Sequence, residues 1–220
     1  MRERIHTIPV TDAFKEDSEC AFCLMRSRLE KNAVEFVTGP SCMERDVRDE
    51  TDRRGFCGEH LKMMLRSQNI LGVALSLQTR LMRVAGAVGP DGAKQKGVSV
   101  AGGCYVCDNI NDTFERYVGT FFHLWRREED FRRLAEGGKG FCLPHYSLLM
   151  NEGEKALGAR DFAVFRETFR KIQLANMERL AGELERFLRK FDYRYADEPL
   201  GSAKDSVQRL MLKLSSAIVD

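Results

Sequence analysis

The sequence lacks any long apolar run. No stretch reaches the ~18 or more consecutive apolar residues that a membrane span requires. The N-terminal residues MRERIHTIPVTDAFKED contain no apolar segment that could serve as a signal peptide. We therefore expect a cytoplasmic protein with no membrane partner. In that reducing compartment the seven cysteines are not expected to form a disulfide framework.

The chain also has little net charge. Its 35 basic and 33 acidic residues leave a formal charge of +2, so no large uncompensated field points to nucleic acid or to an acidic membrane surface. Hydrophobic residues make up 43% and charged residues 31%, which is typical of a folded rather than a disordered protein. With 220 residues the chain can form one integrated domain or two small ones.

The signatures of several enzyme classes are missing as well. The glycine-rich segments EGGKGF and GPDGAKQKG lack the Ser or Thr after Gly-Lys that a phosphate-binding loop needs. A Cys-x2-Cys oxidoreductase normally has a βαβ context, and no window alternates with the period of two that predicts strands. We recognise no catalytic residue, and a non-enzymatic role is the natural expectation.

What the sequence does contain is an internal duplication. Cys20 and Cys23 recur 84 residues later as Cys104 and Cys107. The motif Gly-Phe-Cys-x2-His, which begins at Gly55, recurs 85 residues later. The duplication predicts a first metal-binding unit at 1–88, a linker at 89–103, a second metal-binding unit at 104–196, and a C-terminal strap and helix at 197–220.

The spacing of apolar residues is helical throughout both units. It predicts a helix at each Cys-x2-Cys pair, further helices over 61–88, 146–157 and 161–192, and a last helix from about 203. The long helices 61–88 and 161–192 should supply the common core. Inward positions are expected at Leu71, Leu75, Met82, Phe162, Phe165, Phe169, Phe191, Val207, Leu210, Met211, Leu214 and Ile218. The predicted fold class is an all-α bundle of two pseudo-repeated units.

Each Cys-x2-Cys and each Cys-x2-His can present two ligands to one ion from a single turn. Two such motifs together complete the tetrahedral four-ligand shell of a structural zinc site. Because the intervening gaps are nearly equal, 33 and 34 residues, we assign the ligands within each repeat. The predicted first site consists of Cys20, Cys23, Cys57 and His60, and the second of Cys104, Cys107, Cys142 and His145.

Three alternatives to this assignment stay open. The motifs could pair between the repeats and give crossed sites. The cysteines could instead be small apolar core residues. Soft thiolates also suit iron-sulfur clusters, so zinc, at two ions per chain, has a cofactor alternative.

A few other residues have some chemical potential. Cys42 is left over when both sites are filled, and a nearby helix start could lower its pKa, but an ordinary unreactive thiol is the simpler interpretation. His6 and His123 are expected to be solvated or packed. The segment FDYRYADEPLG (191–201) is interpreted as a strap that anchors the last helix, with a binding surface as the alternative. Ser202 and Asp205 fit a capping box at the start of that helix.

The paired Cys-x2-Cys and Gly-Phe-Cys-x2-His motifs, followed by Phe191-Asp192-Tyr193-Arg194 and Asp197-Glu198-Pro199, resemble an uncharacterised family of small bacterial proteins known only as a domain of unknown function. The resemblance covers essentially the whole chain. It implies a cysteine-rich protein without an established activity, so it assigns no catalytic residue.

Three functions fit these observations. The first is a metal-stabilised interaction or regulatory module that binds a protein partner. The second is a redox or electron-transfer protein that uses iron-sulfur clusters or labile thiolates. The third is a nucleic-acid-binding zinc protein, which would need a basic stripe in three dimensions.

Overall fold

The structure is a computed structural model that describes residues 5–89, 103–195 and 197–218. Within these ranges the chain forms α-helices and short 3-10 turns and no strand, so the all-α prediction is confirmed. The helices are α1 (Thr7–Lys15), α2 (Ala21–Thr38), α3 (Arg45–Arg54), α4 (Gly58–Arg66), α5 (Ile70–Val88), α6 (Tyr105–Arg127), α7 (Glu129–Glu136), α8 (Leu143–Leu157), α9 (Ala159–Arg189) and α10 (Ser206–Ser215). The predicted linker lies, apart from its end residues 89 and 103, outside the described residues. None of the described helices combines the length and the apolar character needed to cross a membrane.

The contacts divide the chain into two compact units. The terminal unit comprises Met1–Met25 and Arg116–Asp220, and the central unit comprises Arg26–Glu115. The boundaries between the units fall inside α2 and α6. They do not coincide with the limits of the two sequence repeats. The division of the chain into 1–88, 89–103, 104–196 and 197–220 stays a prediction from the duplication.

An aromatic cluster forms the core of the terminal unit. Phe121 of α6 is fully buried, and its ring lies 5.3 Å from that of Phe14 and 5.3 Å from that of Phe22. Phe14 belongs to α1, a helix that the apolar spacing did not predict, and this helix also places His6 against Tyr117 at 5.4 Å. Ring pairs of this kind each contribute roughly 0.5–1.5 kcal/mol beyond the burial of their area. Further members of the cluster are Phe131, Phe141, Phe165 and Phe169.

The central unit has a smaller aliphatic core and a polar seam. Its buried cluster consists of Val34, Val37, Met64, Val73, Cys104, Val106 and Ile110. Helix α5 packs on α3, and polar contacts join the two helices. Thr79 donates a hydrogen bond of 2.8 Å to the carboxylate of Asp52, and the Arg83 guanidinium lies 3.6 Å from the carboxylate of Asp49.

The prediction of one helix over 61–88 was wrong. The chain breaks between Arg66 and Ile70, where the Asn69 side chain accepts a hydrogen bond of 3.0 Å from the N–H of Gly72 and caps α5. A Cβ at Gly72 would clash with the carbonyl oxygen of Thr38, so α5 approaches that backbone closely through a small residue. This orientation turns Leu71 and Met82, both predicted to point inward, to the solvent.

Helix α9 matches its predicted inward face at Phe162, Phe165 and Phe169, all of which are buried, whereas Phe191 beyond its end is 78% exposed.

Helix α10 contradicts its predicted inward face. Val207, Met211 and Leu214 are exposed, as is Ile218 beyond the helix, while Ser206 and Lys213 are buried. The capping box was also wrong, because the Asp205 side chain makes no capping hydrogen bond and pairs with Arg209 at 2.9 Å. Ion pairs with the rest of the terminal unit, rather than apolar spacing, decide how α10 is turned.

Candidate metal centres

The eight predicted ligands lie in two clusters, and the ligands of each cluster come from both repeats. Site A consists of Cys20, Cys23, Cys142 and His145; site B consists of Cys57, His60, Cys104 and Cys107. In each site the four ligand atoms all lie within 4.8 Å of one another. The assignment within repeats was therefore wrong, and the crossed alternative is the one that the structure adopts. Site A lies wholly in the terminal unit and site B wholly in the central unit.

Unit membership accounts for the crossing. Helix α2 begins in the terminal unit beside Cys20 and belongs to the central unit from Arg26 onward, so Cys57 and His60 fall in the central unit. Helix α6 begins in the central unit beside Cys104 and belongs to the terminal unit from Arg116 onward, so Cys142 and His145 fall in the terminal unit. Each Cys-x2-His motif therefore belongs to a different unit from the Cys-x2-Cys pair of its own repeat.

The Gly-Phe-Cys-x2-His motif is a compact turn that starts a helix. Gly55 ends α3 with φ 75°, a conformation that residues with a Cβ adopt only under strain. Cys57 is then the N-cap of α4, and His60 follows within its first turn. Both side chains thus project from the N-terminal end of one helix, where the positive end of the macrodipole stabilises a thiolate.

The second copy of the motif has the same geometry. Gly140 has φ 74°, Cys142 is the N-cap of α8, and His145 lies in the first turn. The buried side chain of Gln173 in α9 holds this turn from both sides. It accepts a hydrogen bond of 3.0 Å from the N–H of Phe141 and donates one of 2.8 Å to the carbonyl of the same residue.

The ligand atoms of site A lie close enough together that they could hold a single ion. The Nδ1 atom of His145 lies 3.5 Å from the Sγ atom of Cys20, 3.4 Å from that of Cys23 and 3.0 Å from that of Cys142. The sulfurs of Cys23 and Cys142 are 3.5 Å apart. Zinc bonds of about 2.3 Å to sulfur and about 2.0 Å to nitrogen give tetrahedral edges of about 3.5–3.8 Å. All four residues are buried.

Site B has the same ligand geometry but is more open. The Nδ1 atom of His60 lies 3.1 Å from the sulfurs of Cys57 and Cys104 and 3.4 Å from that of Cys107. Cys57 and Cys107, whose sulfurs are 3.9 Å apart, are only partly buried. The N–H of Cys107 also donates to the sulfur of Cys104 at 3.4 Å. Site B therefore exposes two of its sulfur ligands more than site A does.

The close spacing of the thiols shifts their pKa values, so that they do not all ionise together. In site A, hydrogen bonds to Cys142 and Cys20, together with burial, raise the pKa of Cys23 well above its usual range, whereas hydrogen bonds from Cys20 and Cys23 hold the pKa of Cys142 far below its own. In site B, burial and the hydrogen bond to Cys104 raise the pKa of Cys107 to about 12. One sulfur can hold a negative charge while its neighbours keep their protons. A divalent cation bound between them would allow all three to be thiolates.

Residues around site A include a buried cation that the sequence did not reveal. The ammonium group of Lys213, on α10, donates to the carbonyl oxygens of Glu19 and Lys139 and lies 3.9 Å from the Glu19 carboxylate. The Oγ atom of Ser216 lies 3.0 Å from the sulfur of Cys142. No motif predicts these contacts. Lys213 lies in an amphipathic helix whose apolar spacing predicts that lysine faces the solvent.

The Glu19 carboxylate next to Cys20 joins α9 and α10 to site A. It accepts two hydrogen bonds of 2.7 Å from Arg179, and Arg209 lies 3.4 Å from it. Arg209 also pairs with Glu183 at 2.6 Å. The C-terminal helix is thus held by a network of ion pairs that ends at the residue before the first site A ligand.

A carboxylate supports the histidine of site B. The Oε1 atom of Glu30, in α2, lies 3.1 Å from the Nε2 atom of His60, whose Nδ1 atom faces the sulfurs. An Nε2–H···carboxylate bond fixes the tautomer that leaves Nδ1 free to bind a metal. Glu30 lies 30 residues from His60 and belongs to no motif, so the sequence pattern gives no sign of this contact.

The remaining candidates lie outside the two sites. Cys42 is 5% exposed in a 3-10 turn at Pro40–Met43. Of the segment 191–201, all but residue 196 is described; Tyr193 is 88% exposed and Asp192 pairs with Arg194 at 2.6 Å. The strap and the alternative binding surface stay predictions for this segment.

Comparison with family models gives one match. The model described as "Family of unknown function (DUF6062)" covers residues 1–101 and again 90–220. The chain belongs to this family. The two overlapping matches are consistent with the duplication and confirm the resemblance seen in the motifs. Comparisons with curated proteins and with solved structures give no match. Family membership therefore adds no activity to what the geometry of the sites supports.

Proposed function

We propose that this chain is a cytoplasmic protein in which two structural zinc ions hold together a helical module that binds a protein partner. The observation that carries the proposal is the pair of four-ligand Cys3His clusters, in each of which the ligand atoms all lie within 4.8 Å of one another. Four protein ligands complete the shell of a structural zinc ion and leave no position for water or substrate. A metal bound in this way contributes to folding rather than to catalysis.

The distances within each site favour one ion over a multi-iron cluster. A cluster holds its ligands on different irons and so spreads the four ligand atoms apart, whereas in each site all four ligand atoms lie within 4.8 Å of one another. Such short distances suit ligands that share a single small cation. Thiolate and imidazole are ligands that zinc accepts readily.

Exposed apolar and aromatic side chains support the proposed role in protein binding. Leu71, Leu81 and Met82 of α5 are each 69% exposed. Phe191 and Tyr193, which follow α9, are 78% and 88% exposed. Grouped apolar residues on a protein surface are typical of sites that bind other proteins.

Elemental analysis and an absorption spectrum of protein purified without oxygen test the proposal. We expect two zinc ions per chain and no visible colour. The Cys57→Ser variant should retain one ion and unfold at a lower denaturant concentration. Iron together with visible absorption would favour the redox alternative, and a metal-free folded protein would contradict the proposal.

A further inference from the structure

Helix α5 has its apolar and polar faces reversed relative to an ordinary surface helix. Its buried residues are small: Gly72, Val73 and Ser76. Its large apolar side chains point to the solvent, with exposed fractions of 55% for Ile70, 69% for Leu71, 42% for Leu77, 69% for Leu81, 69% for Met82 and 69% for Val88. Folding of the central unit therefore leaves the most hydrophobic face of this helix uncovered.

The exposed face has the spacing of a helix-pairing seam. One line of residues alternates steps of four and three along the whole helix, which is the pattern of a and d positions in a coiled coil. We call this line the α5 stripe: Ile70, Ala74, Leu77, Leu81, Val84 and Val88. All of these except the partly buried Val84 are exposed. A stripe of this kind fits the apolar face of another helix.

The charges of α5 argue against a lipid surface as the partner. The helix has two charged residues, Arg80 and Arg83, and both are bound to α3. Arg83 pairs with Asp49 at 3.6 Å, and Arg80 donates to the backbone carbonyl of Asp52. A helix that lies on a membrane normally offers Lys and Arg to the headgroups beside its apolar face. With both arginines held against its own unit, the α5 stripe has no charge that would repel an identical stripe.

We propose that the α5 stripe is the interface with a second copy of this chain, formed by two α5 helices that pack along their lengths. The same patch on both copies gives a closed two-fold contact, the commonest arrangement of homodimers. The exposed parts of the large stripe residues and of the flanking Leu71 amount to on the order of 600 Å² per copy and about 1,200 Å² per pair, the lower end of the range for stable interfaces. This proposal rests on the proposed function in one respect: a metal bound at site B must stabilise the fold of the central unit, which contains α5.

The mass of the full chain in solution, measured by light scattering after size-exclusion chromatography, tests this. We expect twice the chain mass of 25.1 kDa at concentrations of about 100 µM. The L77E/L81E variant should be monomeric, because two buried carboxylates on each side would face each other. Leu81→Ala, the milder change, should weaken association at least about tenfold. Leu174→Glu, at a position of α9 that is 49% exposed, is the matched control and should stay dimeric.

Metal content and helicity are measured on the same samples, so the two proposals can fail separately. A monomeric wild type that holds two ions per chain would overturn the dimer and leave the metal proposal intact. A L77E/L81E variant that remains dimeric would overturn the assignment to α5. If the wild-type protein sediments with anionic lipid vesicles and the variant does not, the α5 stripe binds a membrane surface and the dimer proposal is overturned.

Discussion

The buried ammonium group of Lys213 allows a quantitative prediction. Lys213 is 0% exposed, and its ammonium group donates hydrogen bonds to the backbone carbonyl oxygens of Glu19 and Lys139. Replacement by Met removes both hydrogen bonds, and each buried acceptor left without a donor costs about 1–3 kcal/mol. The apolar Met side chain recovers part of this by burial, roughly 1–2 kcal/mol. The middle of these ranges gives an expected loss of about 2–3 kcal/mol in the free energy of unfolding for Lys213→Met.

Urea denaturation at constant saturating metal, followed by circular dichroism, measures this loss. The matched control is Lys155→Met, which removes a lysine whose side chain is 78% exposed and pairs with Glu152 at 3.4 Å. An exposed pair of this kind contributes about 0–1 kcal/mol. A Lys213→Met variant as stable as the control would refute the view that this cation holds α10 onto site A.

Three further predictions concern the surroundings of the sites. Glu30→Gln should weaken metal binding at site B about 10–100-fold, measured by competition with a chromophoric chelator, and leave site A unchanged. Gln173→Ala should lower the free energy of unfolding by about 2–4 kcal/mol in chemical denaturation, because it strips both hydrogen bonds from the backbone of Phe141. Excess chelator should remove the ions in two phases, with site B first, because Cys57 and Cys107 are partly exposed; a single phase for both ions would count against this difference between the sites.

The sequence predicted the ligands because each motif is a local structure. Cys-x2-Cys and Cys-x2-His place two donors on one turn, and glycine at the positive φ of Gly55 and Gly140 marks the turn itself. Which motifs meet is not local. Helices α2 and α6 each begin in one compact unit and continue in the other, so equal gaps between motifs were a poor guide to the pairing.

Helices α5 and α10 show the second limit of the sequence pattern. Apolar spacing predicts that the Leu-rich face of a helix points inward. In α5 the small residue Gly72 allows a close approach to the backbone at Thr38, and in α10 the ion pairs of Arg209 and Lys213 with Glu19 fix the opposite face. Such contacts join residues that are far apart in the chain, so the period of a single helix does not reveal them.

The most direct test of the crossed sites is the metal content of two double variants. C20S/C142S removes two ligands from site A alone, so crossed sites predict that one ion per chain remains. C20S/C57S removes one ligand from each site and should leave none firmly bound. The reverse result, with no ion in C20S/C142S and one in C20S/C57S, would show that each repeat binds its own ion and would contradict the crossed arrangement.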